Sequence, residues 1–208
     1  PINNSTLLDY INNDSSADSM LNSINGSTSA ATQMLKAKVS KTGYENTDKS
    51  SEDLQNAIDK LAGKKSTVFK DARESKDTSK VTAAAQELID KYNSLVKVMS
   101  KMSSSLDEFY KKALKGLPES IKESLEKVGI TYNSDGTLEV DSDKLKKADV
   151  DSIEKIFGSD SEFMKKLSFV TDRIESNAEA NLQSVSSTYS STADIMSSFN
   201  SSKYDFLG

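Results

Sequence analysis

Two carboxylate pairs, Glu123 with Glu126 and Asp141 with Asp143, are the side chains whose type and spacing come nearest to an acid–base couple. Each pair sits among lysines or at a helix start, where nothing desolvates it as a catalytic acid or base requires. They read as charge on a wet face. The chain has no Cys and no His, which removes thiolate and imidazole chemistry. Cys-His and Ser-His-Asp catalysis and nearly all zinc sites go with them. The expectation is a protein that is not an enzyme, with no catalytic, cofactor-binding or metal-binding residues.

A calcium loop is the sharper alternative to test. Asn133, Asp135 and Gly136 fall at the third, fifth and sixth places of a twelve-residue loop of the EF-hand kind. The first place would then be Thr131 and the twelfth Ser142, so the leading carboxylate and the closing bidentate Glu are missing. A hairpin accounts for the same residues better. Val128, Ile130 and Tyr132 alternate with smaller or polar residues, as do Leu138 and Val140, which is the period of two short strands with one face covered. Asp135-Gly136 between them supplies the positive φ that a tight turn needs. Asp141 then stands where a helix N-cap belongs.

The elements around this block follow from apolar spacing. Val81, Ala85, Leu88, Tyr92, Leu95, Met99, Met102, Leu106, Phe109 and Ala113 recur at three- and four-residue steps and predict one long coiled-coil-like helix. The Gly116-Leu117-Pro118 step is expected to stop it, with Pro118 opening a short helix that carries Ile121, Leu125 and Val128. After the hairpin come a short helix around Leu145 and another around Ile153, Ile156 and Phe157, ended by Gly158. From Ser161 a last long helix places Phe163, Leu167, Val170, Ile174, Ala178, Leu182, Val185, Tyr189, Ala193, Met196 and Phe199 on one stripe. Two narrow stripes of similar length bury each other best side by side, so 81–113 and 163–199 are predicted to pair antiparallel.

Upstream, residues 1–49 form a Ser/Asn-rich segment, partly helical, in which Thr42-Gly43 is expected to end a helix. Another is expected to begin near Ser50 or Ser51, bury Leu54, Ile58 and Leu61, and stop at Gly63. Residues 50–208 then make a helical rod with the hairpin at 128–140. Asp71 to Lys80 is polar apart from Ala72 and reads either as a connector or as a solvent-facing helix start. The fold class is mainly α: an elongated antiparallel helical bundle or coiled-coil hairpin with one small β-hairpin. Apolar residues make up 35% of the 208 and there is no Trp, which suits narrow helical stripes.

The block from Val128 to Phe157, with its Gly129-Ile130 step, Asp135-Gly136-Thr137-Leu138 hairpin, Asp141 helix start and Ile156-Phe157, resembles the C-terminal rod region of the flagellar filament-capping family, hook-associated protein 2. Ala84 to Met99 is similar to a helix of that family in which an apolar pair precedes Tyr92-Asn93 and a further apolar pair. The resemblance covers about Val81 to Asn181. Members insert large variable domains for which this chain has no room, so it implies a minimal relative. It also implies a structural or assembly protein of the bacterial flagellum, with other flagellar or appendage subunits and copies of itself as partners. Tyr92, Tyr189 and Phe199 are then the candidate interface residues.

The net charge of −5, with Lys interspersed among Asp and Glu, offers no basic face for nucleic acid. No run of about 18 apolar residues is present to insert in a membrane. No segment joins a basic start to an apolar core as secretory signals do; the resemblance implies an extracellular location, on the flagellum, reached without a cleaved signal peptide. A cytoplasmic location is the alternative, for a chaperone or adaptor that holds a partner helix; a secreted helical tip or effector protein is a further one.

Overall fold

The computed structural model describes residues 30–204, with side-chain burial for residue 36 and residues 38–187. The elements are α1 (Ala30–Ala62), α2 (Val68–Ser75), α3 (Ser79–Ser100), α4 (Ser105–Glu119), α5 (Lys122–Lys127), β1 (Ile130–Tyr132), β2 (Leu138–Val140), α6 (Ser142–Lys147), α7 (Val150–Phe157) and α8 (Glu162–Tyr204). The protein is mainly α with one two-stranded antiparallel sheet. It divides into two compact units, Pro1–Tyr44 with Ala180–Gly208, and Glu45–Glu179. What the structure describes of the first is the opening of α1 and the closing stretch of α8. The apolar positions of residues 1–29 lie outside the described residues.

Within Glu45–Glu179 the core is built on α1. Leu54, Ala57, Ile58 and Leu61 are buried, the i, i+3, i+4, i+7 stripe of an amphipathic helix. Lys91 Nζ donates to Asp53 Oδ2 at 3.0 Å and Lys60 Nζ to Glu87 Oε1 at 2.5 Å. Rising numbers on α1 thus meet falling numbers on α3, so the two run antiparallel. Gln55 Nε2 donates to Ser168 Oγ at 2.8 Å, and Asp48 lies with Glu175 and Glu179, so α8 also runs antiparallel to α1. Consequently α3 and α8 run in the same direction. The antiparallel pairing expected between these two stripes is corrected: α1 supplies the antiparallel partner for each.

Element boundaries also differ from expectation. Helix α1 runs through Thr42-Gly43 without a break, because a Gly that is not in the left-handed region only weakens a helix. The end at Ala62, before Gly63, is as expected. The polar run 71–80 is helical except at residues 76–78. Phe69 and Ala72 are buried on α2, Lys76 takes a left-handed φ of 56° as its C-cap, and Asp77 Oδ1 accepts from Ser79 N at 2.9 Å to start α3.

The long helix expected over 81–113 is two helices, broken after Ser100. The cause is a Ser-x-x-Asp capping box. Ser104 Oγ accepts from Asp107 N at 3.1 Å, and Asp107 Oδ2 accepts from Ser104 N at 3.1 Å, which closes off two amides at a new helix start. Val81, Ala85, Leu88, Tyr92, Leu95, Met99 and Met102 are buried, while Leu106 and Phe109 beyond the break are exposed. Pro118 does not open the next helix; it lies buried in the last turn of α4, which ends one residue later. The last long helix begins as expected, and Phe163, Leu167, Ile174 and Ala178 are buried on it.

Candidate functional site

The hairpin forms as read. Ile130 pairs with Val140, Thr131 with Glu139 and Tyr132 with Leu138. Asn133 N donates to Thr137 O and Gly136 N to Asn133 O, both at 2.9 Å, to close the turn. Gly136 has φ 91°, open to Gly at no Cβ cost. Gly129, at φ 86°, lets the helix start after the hairpin come close: a Cβ there would lie 3.0 Å from Asp141 O and 2.8 Å from Lys144 Cβ.

The turn residues are occupied with one another. Asp135 Oδ1 accepts from Thr137 N at 2.9 Å and from Thr137 Oγ1 at 2.6 Å. These bonds to the charged form hold its carboxyl below the usual range, the Thr137 hydroxyl contributing most. Asn133 Nδ2 donates to Thr137 Oγ1 at 3.2 Å. Asp141 Oδ1 accepts from Asp143 N and Lys144 N, at 3.1 and 3.0 Å, as the N-cap of α6. Asp149 does the same for α7, taking Ser152 N at 2.8 Å and Ser152 Oγ at 2.7 Å. Glu123 and Glu126 stand exposed on α5. Arg73 on α2 joins Asp151, at 2.8 Å, and Glu154 of α7.

What fastens the hairpin to α3 is the Tyr92-Asn93 step. Asn93 Nδ2 donates to Leu138 O at 2.7 Å while Asn93 Oδ1 accepts from Leu138 N at 2.8 Å. The side-chain amide thus takes both backbone groups that Leu138 turns away from β1, in the manner of a neighbouring strand. Tyr92 is fully buried beside it, 0% exposed. Its hydroxyl donates to Gly136 O at 2.9 Å, with Leu114 O at 3.4 Å as second acceptor. Leu114 O is the carbonyl that residue 118 would bond in a regular helix, and Pro118 has no N–H to offer it. One phenol therefore ties together α3, the turn and the last turn of α4, and burial pushes its pKa well up.

The candidate interface residues fall differently. Tyr92 is interior; Tyr189 and Phe199 lie on α8 outside the residues whose side chains are described. Among the described residues the exposed large hydrophobics are Leu106 at 47%, Phe109 at 62% and Phe169 at 60%. The spacing puts Leu106 and Phe109 on the buried stripe, but the capping box at Ser104 starts a new helix there and turns them outward. Asn93 was likewise not read as a structural ligand, since an Asn beside a core Tyr carries no periodic signal of its own.

A second polar grouping, which the sequence did not indicate, joins α1 to α8. Carboxylate oxygens of Asp48, Glu175 and Glu179 lie within 4.8 Å of one another. Burial, and then the nearby charges of Asp48, Glu179, Asp172 and Glu52, raise the pKa of Glu175. Close by on the same helices, Ser51 Oγ, Gln55 Oε1 and Thr171 Oγ1 are buried without a hydrogen-bond partner.

Among the described residues no nucleophile, base and oxyanion site are brought together as acyl transfer requires. No helix among the described residues is long and apolar enough to cross a membrane. Comparison with curated proteins and with solved structures gives no match. The family match starts at the proline that closes α4 and runs beyond the expected limit near Asn181, while Ala84 to Met99 falls outside it. Residues 118–206 match the family described as flagellar hook-associated protein 2 C-terminus, so this part of the chain, with its clamped hairpin, resembles the C-terminal region of that protein.

Proposed function

We propose that the chain is a non-enzymatic structural and assembly protein of the bacterial flagellum, similar to the filament cap, working outside the cell and in contact with other flagellar subunits. The observation that carries this reading is the match over residues 118–206. It spans the hairpin block that carries the resemblance. The physical character of the site agrees. Its polar residues are spent on turns, caps and one interelement clamp, leaving rigid helices whose faces can pack against neighbours. Export without a cleaved signal peptide belongs to the same proposal.

The test is deletion in the source organism, with imaging of filaments and assay of the medium. Loss or shortening of filaments, with flagellin shed into the medium and the protein found outside the cell, is the expected outcome. Normal filaments, no leaked flagellin and a protein confined to the cytosol would replace this reading with that of a helix-binding chaperone or adaptor. Normal filaments with the protein in the medium would point to a secreted tip or effector protein.

A further inference from the structure

We infer that the outward face of α4 is a self-association surface, docking antiparallel on α4 of a second copy of this chain. The face consists of Leu106, Phe109, Ala113 and Gly116, spaced by three, four and three residues, the a and d positions of two successive heptads. Opposite them Asp107, Leu114 and Pro118 are buried. This stripe continues the pattern that α3 buries, but the break after Ser100 turns it to solvent. Leu106 and Phe109 are 47% and 62% exposed. Phe109 has Tyr110 edge-on at 5.5 Å, which holds an exposed ring without covering it.

Two features select the occupant. First, the stripe is bulky at its N-terminal end, with Leu106 and Phe109, and hollow at its C-terminal end, with Ala113 and Gly116. A Cβ placed on Gly116 would meet nothing within 4 Å. The fold therefore has no steric need of glycine inside this helix, where glycine is among the poorest choices. Bulk and hollow are exchanged by a two-fold axis near residue 111. Leu106 then lies opposite the partner's Gly116 and Phe109 opposite its Ala113, the a-against-d layering of antiparallel helices, so the surface is complementary to itself. The same register places Lys112 of each copy close to the axis, while Glu108 is paired with Lys111 of its own chain at 2.5 Å, so shape and not charge selects the partner. Second, the area is small. A 15-residue helix is about 22 Å long and about 10 Å across, which gives a few hundred Å² per copy against the roughly 800 Å² a side of stable interfaces. Such a contact is weak in dilute solution and forms where copies are crowded, as in an assembling structure.

The proposal takes its biological setting from the assembly reading, but its experiment uses the purified chain of residues 1–208, so that the two can fail separately. Because the chain has no Cys, a single Lys112→Cys substitution reports proximity of two copies without interference. With a short bifunctional thiol reagent at high protein concentration, Lys112→Cys should cross-link to dimer severalfold faster than Lys146→Cys, an exposed site on α6. Adding Phe109→Ser should remove the excess, and so should Gly116→Leu, which fills the hollow. Phe109 is exposed and a Cβ on the half-buried Gly116 would meet nothing within 4 Å, and circular dichroism checks that each variant folds. Cross-linking at 112 no faster than at 146, or excess cross-linking that survives both second substitutions, would overturn the proposal. A dimer that appears only when residues 1–29 are removed would also overturn it, by showing that those residues cover the face. If the cross-link is absent yet the gene still restores filaments to a deletion strain, the α4 contact is wrong and the assembly reading stands.

Discussion

The Tyr92-Asn93 clamp and the α1–α8 seam both join elements through buried polar groups, and they do it in opposite ways. At the clamp every donor meets an acceptor: Asn93 satisfies Leu138 N and O, and the Tyr92 hydroxyl meets Gly136 O and the carbonyl that Pro118 leaves free. Along the seam Ser51 Oγ, Gln55 Oε1 and Thr171 Oγ1 find no partner, and three carboxylates crowd together. A satisfied polar network fixes one geometry, whereas unsatisfied groups and like charges in a seam are a standing cost. The hairpin is therefore held in one register on α3, while the seam is held by its apolar residues, Leu54, Ile58, Leu167 and Ile174 among them, against its own polar content.

The largest expected effect comes from breaking the clamp at Asn93. Asn93→Leu leaves Leu138 N–H and C=O without their partners and brings no donor in exchange, so it should cost about 3 kcal/mol, the sum of two unmet backbone groups. Tyr92→Phe keeps the ring and removes only the hydroxyl, at a cost of about 1.5 kcal/mol. Denaturant unfolding monitored by circular dichroism measures both. If Asn93→Leu costs no more than Tyr92→Phe, the amide is not a strand substitute and the comparison fails on that side. Asp141→Ala follows, at about 1 kcal/mol for the lost N-cap of α6.

Much of the clamped region was legible in the sequence, because its signals are local. Asp135-Gly136 dictates a turn, Asp141 a cap, and the alternation of Ile130, Tyr132, Leu138 and Val140 a short ladder. The apolar stripes of α3 and of α8 up to Ala178 were legible for the same reason. What sequence did not show depended on choices between neighbours. Periodicity carried the stripe through Met102 to Phe109, because Ser104 and Asp107 announce a helix start only when read as a reciprocal pair. Which helix α1 meets is a tertiary matter, and its polar residues 47–51 concealed that it pairs with both α3 and α8. The crowding of Asp48 with Glu175 and Glu179 has no signature at all, since the residues are more than 120 positions apart.

On the seam side the sign reverses. Thr171 is fully buried and its hydroxyl is unpaired, so replacing it by the nearly isosteric Val removes a desolvated group that gains nothing from burial. Thr171→Val should stabilise by up to about 1 kcal/mol, seen as a higher midpoint in the same denaturant titration. Destabilisation by that substitution would mean that the hydroxyl has found a partner and that the seam is not the frustrated counterpart of the clamp.

Glu175 gives the smallest effect and the one that pH resolves. Its pKa is raised, by burial first and by Asp48, Glu179, Asp172 and Glu52 after it, so the folded chain holds this proton more tightly than the unfolded chain. The stability this contributes is full below the ordinary Glu pKa and is lost as pH rises through the raised value. Asp135 and Asp149 act the other way. Their pKa values are lowered by bonds from Thr137 and Ser152, so their contribution is present above the ordinary Asp value and fades as pH falls through the lowered ones. The windows do not overlap, which makes the measurement clean. Between about pH 4.5 and 7 the wild-type midpoint should drift downward as pH rises, by a few tenths of a kcal/mol once solvent screening of a partly exposed group is allowed for. Glu175→Gln carries no charge at any pH, so it should flatten that drift and be the more stable chain at pH 7, while leaving the acid limb set by Asp135 and Asp149 unchanged. A drift of equal size in the variant would place its origin outside the Asp48–Glu175–Glu179 group, and the charge half of the contrast between seam and clamp would have to be abandoned.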